Sequence, residues 1–356
     1  MRDAILVSPF TWEVHNTPER LALALAHTGR RILYCERPVS VFRHSSSRRL
    51  TEVEKGIFGF SPIFCSARLS SFSLLSRYQA KMVTTQILEN ALKLNLKNPF
   101  FIYPHGTFWL AVSREFKRRG FCLIHICMDY EPPLSIEHVQ QADLILAIPD
   151  IAFRELTQTF CDKVKLIPQF ASLDSVGLTG PQELAELSRI PRPRMGYLGN
   201  LSGRVSIQLV KELLVEHPEW QLISFGSVTK WLPLANEHVL PWYSQTQMPA
   251  VLEALDVGFM PYDCTDPKNL HCVPLKLFDY FSRGIPVVST PIVYLREYDN
   301  LVYLGATASE LADAVSQALA EPAESPKRAA RMAVARKHSI ENLSRPISRV
   351  IEEVCG

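Results

Sequence analysis

Short apolar segments of β character alternate with amphipathic helical segments along nearly the whole chain, and no other feature constrains the fold as tightly. Strands are expected over Ala4–Val7, Arg31–Cys35, Phe100–Tyr103, Leu123–Met128, Leu144–Ile148 and Val164–Ile167 in the first half. A second series follows over Met195–Leu198, Gln221–Phe225, His238–Leu240, Val257–Met260, Pro286–Ser289 and Leu301–Tyr303. Between them lie helix candidates such as Pro18–His27, Trp109–Arg119, Ile151–Phe160, Val205–Glu216, Met248–Leu255 and Ser309–Ala320. A strand that returns to its sheet through a helix runs parallel to its neighbour, so the pattern implies crossover units and parallel sheets. Six strands, a break near Gly177–Pro193 that reads as a linker, and six more imply two Rossmann-like domains in tandem. The expected fold class is therefore α/β, with domains over 1–176 and 190–335. A single amphipathic helix is expected over Ala330–Val354, with 336–356 crossing back to pack on the first domain.

A chain of 356 residues accommodates two domains. No run approaches the roughly 18 apolar residues of a membrane-spanning helix. The opening Met-Arg-Asp-Ala-Ile-Leu-Val-Ser-Pro-Phe lacks a signal peptide's long apolar core. The 8 cysteines are scattered, without a Cys-x-x-Cys pair or zinc-ligand spacing. Cys35, Cys122 and Cys127 fall in apolar strands and read as buried free thiols, which points to a reducing cytoplasm. Net charge is +2 but uneven: residues 1–170 carry 21 Lys/Arg against 15 Asp/Glu, and residues 171–356 carry 17 against 21. The basic first half is either scattered surface charge or a face toward an anionic membrane or acceptor. It lacks the density of a nucleic-acid footprint, so no nucleic-acid partner is expected. The Ser- and Arg-rich stretch Pro38–Ala80 stands apart. It reads as a surface loop followed by a core helix over Tyr78–Leu94, or as an inserted acceptor- or membrane-contacting element.

The densest chemistry lies in His271-Cys-Val-Pro-Leu-Lys-Leu-Phe-Asp-Tyr-Phe-Ser-Arg-Gly-Ile-Pro-Val-Val-Ser-Thr290. Pro274 suits the first position of a short helix, Gly284 its C′ position, and Ile285–Thr290 a buried strand. Free N–H groups at Leu275 to Leu277 would form an anion seat strengthened by Lys276. Asp279, one turn on along the same face, could accept from a hydroxyl. Cation and acceptor so spaced suit a diphosphate joined to a ribose. An ordinary amphipathic helix with a solvated Lys and Asp fits the same residues. Met195-Gly-Tyr-Leu-Gly199-Asn200-Leu-Ser-Gly203-Arg204 ends a strand with small, turn-forming residues that let backbone approach a phosphate, and Arg204 could pair with one. Gly226 and Ser227, Trp242 in Pro-Trp-Tyr, and Tyr262 follow the next strands and could line a nucleobase slot or merely form tight turns. Neither a Gly-x-Gly-x-x-Gly nor a Gly-x-x-x-x-Gly-Lys-[Ser/Thr] pattern is present, so no nicotinamide cofactor or Walker-type loop is indicated.

Residues 195–304 resemble the donor half of GT-B-fold glycosyltransferases, particularly the large retaining family four group that includes bacterial polysaccharide-assembly enzymes. Phe225-Gly-Ser, Leu240-Pro-Trp, Asp256-Val-Gly-Phe-Met-Pro261 and the 274–290 run follow that family's pattern in order. In the first half, Trp12 with Arg20 and Gly29-Arg-Arg-Ile-Leu-Tyr34 are similar to the opening of teichuronic-acid-type transferases. Asp143-Leu-Ile-Leu-Ala and Val164-Lys-Leu-Ile-Pro168 are similar to the family's last two strands of the first domain. About 38–98 is not covered. The family carries two glutamates eight positions apart, the second holding ribose hydroxyls and the first approaching the donor sugar. Asp279 occupies the second place and His271 the first, which departs from the family. Pro168-Gln-Phe-Ala-Ser-Leu-Asp174 departs from its Pro-Asn-Gly-Val-Asp motif.

The resemblance implies two Rossmann-like domains facing a cleft, and transfer of a sugar from a nucleotide diphosphate sugar to a growing glycan or lipid-linked oligosaccharide. His105 and Asp129 resemble the family's His and His-Asp loop positions; Asp129 or Glu131 would orient an acceptor hydroxyl or accept its proton. The configuration would be retained. Lys276 and Arg204 would carry the leaving charge. Without an Asp-x-Asp pair, no divalent metal is expected, and no cofactor. The expected location is cytoplasmic, with or without peripheral contact at the inner membrane face. Two rivals share the fold: a nucleotide-sugar 2-epimerase, and a nucleotide-sugar-binding relative without catalysis.

Overall fold

A computed structural model describes residues 1–12, 16–42, 48–65, 73–132, 136–171, 185–199, 203–226, 234–243 and 247–356. The chain divides into two compact units, Met1–Phe170 with Ile340–Gly356, and Ala171–Ser339.

The first unit holds strands β1 (Ala4–Val7), β2 (Ile32–Cys35), β3 (Val39–Ser40), β4 (Thr51–Glu54), β5 (Ile57–Phe60), β6 (Ile63–Phe64), β7 (Phe100–Pro104), β8 (Leu123–Cys127), β9 (Leu144–Ala147) and β10 (Val164–Leu166). Eight of them form one sheet in the order β10-β9-β8-β7-β1-β2-β5-β4, and β3 pairs with β6 separately. β1, β2, β7, β8 and β9 are buried throughout, as parallel strands covered on both faces must be. Phe101 and Phe116 stack at 3.9 Å where the Thr107–Arg118 helix meets the sheet. The Thr17–His27 helix starts where Asn16 accepts from the Glu19 N–H at 3.1 Å, with Pro18 in the first turn.

All six strands expected in this half form. The stretch from Pro38 corrects the expected surface loop, because β4 and β5 make an antiparallel hairpin and β5 extends the main sheet parallel to β2. β4 and β5 are only four residues long and interleaved with Gly and charged residues, too short to show a period. Tertiary bonds hold them. Buried Glu36 accepts from Trp12 N–H at 3.1 Å, Arg48 Nε at 2.8 Å and Ser61 Oγ at 2.7 Å. The expected helix follows as Ser73–Lys93.

The second unit holds β11 (Arg194–Tyr197), β12 (Gln221–Phe225), β13 (Glu237–Leu240), β14 (Val257–Met260), β15 (Val287–Ser289) and β16 (Val302–Leu304), all parallel, in the order β13-β12-β11-β14-β15-β16. All six expected strands again form. The expected tail helix is instead two, Pro326–Lys337 and Ile340–Cys355. The break has a cause: the His338 ring stacks on Phe278 at 4.1 Å, and its carbonyl accepts from Ala171 N–H at 2.8 Å. Ile340–Cys355 packs in the first unit against Thr17–His27, and the buried Arg30 guanidinium donates to Ser348 Oγ at 2.7 Å and Glu352 Oε1 at 2.5 Å.

Cys122 is not a free thiol. It forms a disulfide with Cys355, 233 positions away, a pairing that sequence spacing does not announce. Cys35 and Cys127 are buried free thiols, and burial pushes the Cys127 thiol up to about 12. Among the described residues, no helix is long and apolar enough to cross a membrane.

Candidate functional site

In the second unit, the chain leaves β11 through Leu198-Gly199 and β14 through Pro261-Tyr262. The Leu275–Ser282 helix approaches both exits, and Tyr280 explains why. Its ring lies so close over β14 that a Cβ on Gly258 would meet ring carbon at 2.5 Å. Its hydroxyl donates to the Gly196 carbonyl at 2.7 Å and accepts from the Leu198 N–H at 3.0 Å. Lys276 sits one turn earlier on the same helix face. The helix register that seats Tyr280 therefore carries the Lys276 ammonium over the end of β11.

Lys276 Nζ lies 3.6 Å from the centroid of the Tyr197 ring and 5.4 Å from that of Tyr262. Both rings are buried and offer their faces to the cation. Gly199, at φ +146°, passes close by: a Cβ there would stand 3.3 Å from Nζ. Arg204 is half-buried beside this group, and Val205 bridges Tyr262. Desolvation pushes the Lys276 amine down to about 7; the Arg204 charge acts the same way, whereas Cys272 and Asp279 pull it up. A buried ammonium beside a second positive charge is poorly solvated and repelled, and a bound anion relieves both burdens.

Two details of the expected anion seat change. Pro274 caps the helix from outside, at φ −75° and ψ 123°, instead of opening it as the first helical residue. The Leu277 N–H, expected free, donates to the Pro274 carbonyl at 3.2 Å, which narrows the seat to Leu275 and Lys276. Asp279 is buried in the same helix. His271 is half-buried and closes the short Pro267–Leu270 helix, its N–H donating to Pro267 O at 3.1 Å. Gly226 ends β12 with its N–H on Leu240 O at 2.9 Å. Trp242, past β13, is 44% exposed, while its neighbour Tyr243 turns inward edge-on to Phe225 at 5.1 Å. Asn200 and Ser227, and Asp174, lie outside the described residues. The structure thus gathers Gly199, Arg204, Tyr262, Leu275 and Lys276, with Gly226 and Trp242 at the carboxyl ends of the next two strands. Tyr197 and Tyr280 were missed in the sequence, although Tyr280 stands at i+4 from Lys276.

In the first unit, His105 follows β7 and is exposed; Asp129, half-buried, stands two residues past β8; Glu131 is exposed. β7 and β8 are adjacent, so these residues share one edge of the sheet. Sequence reading missed two further histidines. His138 is buried, and its ring lies 4.0 Å from that of His105, tilted by 31°. His125 is buried inside β8 with no hydrogen-bond partner for Nδ1 among the described residues. Burial first, then the charges of His105 and His138, lower its pKa to about 3. No spacing linked 105, 125 and 138; the sheet does.

Residues 204–347 match the family model described as glycosyl transferase-like. A curated relative from Bacillus subtilis (strain 168), whose name is that of a teichuronic acid biosynthesis glycosyltransferase, TuaH, is 29% identical over 104 residues, 27% of this chain and 26% of that protein. The match thus spans about a quarter of the relative's length. Solved structures align over nearly the whole chain. Sucrose-phosphate synthase from Thermosynechococcus elongatus has a TM-score of 0.71 at 12% identity, covering 99% of each chain. Anabaena HepE in complex with UDP and glucose has 0.71 at 14%, covering 99% of this chain and 100% of that one. The E. coli trehalose-6-phosphate protein bound with UDP-2-fluoro glucose has 0.66 at 13%, covering 98% of each. At such identity the likeness establishes the fold. The expectation of a GT-B architecture with a glycosyltransferase-like second domain is borne out.

Proposed function

We propose that this protein is a glycosyltransferase that moves a sugar from a nucleotide diphosphate sugar to a growing glycan or lipid-linked oligosaccharide. The observation that carries the reading is Lys276, held over Tyr197 at 3.6 Å beside Arg204 at the carboxyl edge of the second sheet. Ligands of open parallel sheets bind at that edge. Fixed cations there stabilise a leaving diphosphate, which is the ground for a transfer that needs no metal. The second unit takes the donor against Gly199, Arg204, Gly226, Trp242, Tyr262, Leu275 and Lys276, with Asp279 toward the ribose and His271 toward the sugar. UDP and glucose in the HepE complex, and UDP-2-fluoro glucose in the E. coli protein, support a UDP-hexose donor.

The first unit takes the acceptor. Asp129 or Glu131 orients the attacking hydroxyl, with His105 on the same edge of the sheet. In a retaining transfer the C1–O bond to diphosphate breaks, the acceptor oxygen bonds C1 from the same face, and the departing diphosphate accepts the hydroxyl proton. Exposed Val41, Phe42 and Tyr78, with exposed Arg37, Arg49 and Arg77, support contact of this unit with an anionic membrane carrying the acceptor.

The test is thermal unfolding against uridine and guanosine diphosphates and their hexosyl derivatives, followed by acceptor-dependent UDP release. Ligand at 100 times Kd raises stability by about 2.7 kcal/mol. A shift with uridine compounds and release only with acceptor, both unchanged by EDTA, is expected. No shift with any nucleotide would overturn the reading.

A further inference from the structure

We infer that His138 is a positioning residue for His105, an imidazole platform that holds the His105 ring at the carboxyl end of β7. The inference rests on the glycosyltransferase reading only for what His105 then does; the positioning itself stands on geometry. His105 is exposed and follows Pro104, the last residue of a buried strand. An exposed ring on a turn samples several rotamers unless a neighbour restrains it. The neighbour is His138, buried at 5% exposure, whose ring centroid lies 4.0 Å from that of His105.

His138 is itself tied down on two sides. Its main-chain carbonyl accepts from the Tyr103 hydroxyl at 2.7 Å, and its ring N–H donates to the Gly106 backbone. Tyr103, fully buried in β7, packs edge-on against His125 at 5.0 Å. Through His138, the short helix Ile136–Gln140 therefore contacts Tyr103 and Gly106 on either side of His105, and stacks on His105 itself. Gly106 adopts φ +134°, a conformation that L side chains rarely adopt, so the turn after His105 requires glycine. The charged and titratable groups around His138 are His105, His125, Glu137 and Arg114; burial and the facing His105 favour its neutral form. A neutral platform can stack under His105 without repelling it, and a cation there could not do so as well.

The readout separates positioning from mere support of the fold. In a double-mutant cycle, His138→Ala is expected to lower kcat by about 10- to 100-fold with KM for the nucleotide sugar changed less than about twofold. In a His105→Ala background, His138→Ala should add nothing, because the group it positions is gone. His138→Phe, which keeps a stacking face, should recover most of the loss. Additive effects of the two substitutions would overturn the inference. A second arm does not need the reaction: the His105 Hε1 proton resonance carries the ring-current shift of His138. That shift should vanish in His138→Ala and persist in His138→Phe. If no nucleotide sugar yields product but the shift behaves so, the functional reading fails and the positioning stands. If the His105 resonance ignores His138→Ala in a folded protein, the positioning fails whatever the activity.

Discussion

Donor affinity should depend on pH through a single lysine. With its amine near 7 in the free protein, Lys276 is about half protonated at neutrality and roughly a tenth protonated at pH 8. A diphosphate needs the ammonium and raises its pKa on binding, so the free protein takes up a proton as it binds. The apparent Kd at pH 8 is then weaker by about tenfold, some 1.4 kcal/mol, than at a pH where Lys276 is fully charged. Removing the side chain loses a charged hydrogen bond worth about 1.5–3 kcal/mol. Lys276→Ala should therefore weaken binding by roughly 10- to 150-fold and abolish the pH dependence together. UDP-glucose is the better ligand for the measurement, because its diphosphate is esterified at both ends and does not titrate in this range. Calorimetry in two buffers of different ionisation enthalpy gives proton uptake directly. About half a proton at pH 7, rising toward one at pH 8, is expected. A Kd flat between pH 6.5 and 8.5, with no proton uptake and no loss in Lys276→Ala, refutes the argument.

Gly258→Ala places a methyl 2.5 Å from the Tyr280 ring, and the ring cannot retreat without losing its bonds to Gly196 and Leu198. A loss of about 1–3 kcal/mol is expected by denaturant unfolding, with weakened nucleotide binding because the same shift displaces Lys276. His125 is buried neutral, its pKa lowered to about 3 against an ordinary value near 6.5. The unfolded chain binds the extra proton between those limits, so stability is full above about 6.5 and falls by up to about 1.4 kcal/mol per pH unit below it. Urea unfolding at pH 7, 6 and 5 should show a shallower decline in His125→Phe; an unchanged slope means His125 is not the group that titrates.

The sequence by itself determined the elements and their kind. Ile5, Leu33, Phe101 and Ile145 lie in short apolar runs bounded by turn residues, the pattern of a strand with both faces covered. The helices between them then forced parallel pairing. Pro274, Gly284 and the intervening face marked the helix that carries Lys276. Strands β4 and β5 were illegible, because Thr51–Glu54 is exposed along most of its length and the two ends of the hairpin, Arg48 and Ser61, are held by Glu36 from the turn after β2. The break at His338 was equally hidden, since it depends on Phe278 and Ala171.

Only the tertiary structure decided the state of the charged groups. The sequence places Lys276 on a helix, but its lowered pKa comes first from the burial that tertiary packing imposes and then from the charge of Arg204, a residue remote in sequence. In the sequence, His105 stands just past a strand at a position that resembles the family's His. Its stacking partner and the buried His125 come from positions 33 and 20 residues away, brought near by sheet order. The disulfide between Cys122 and Cys355 has the same origin. Periodicity reports how each segment meets the core and is written locally. Burial and neighbouring charge depend on what stands within a few ångströms, and in a sheet of crossovers those neighbours are remote in sequence.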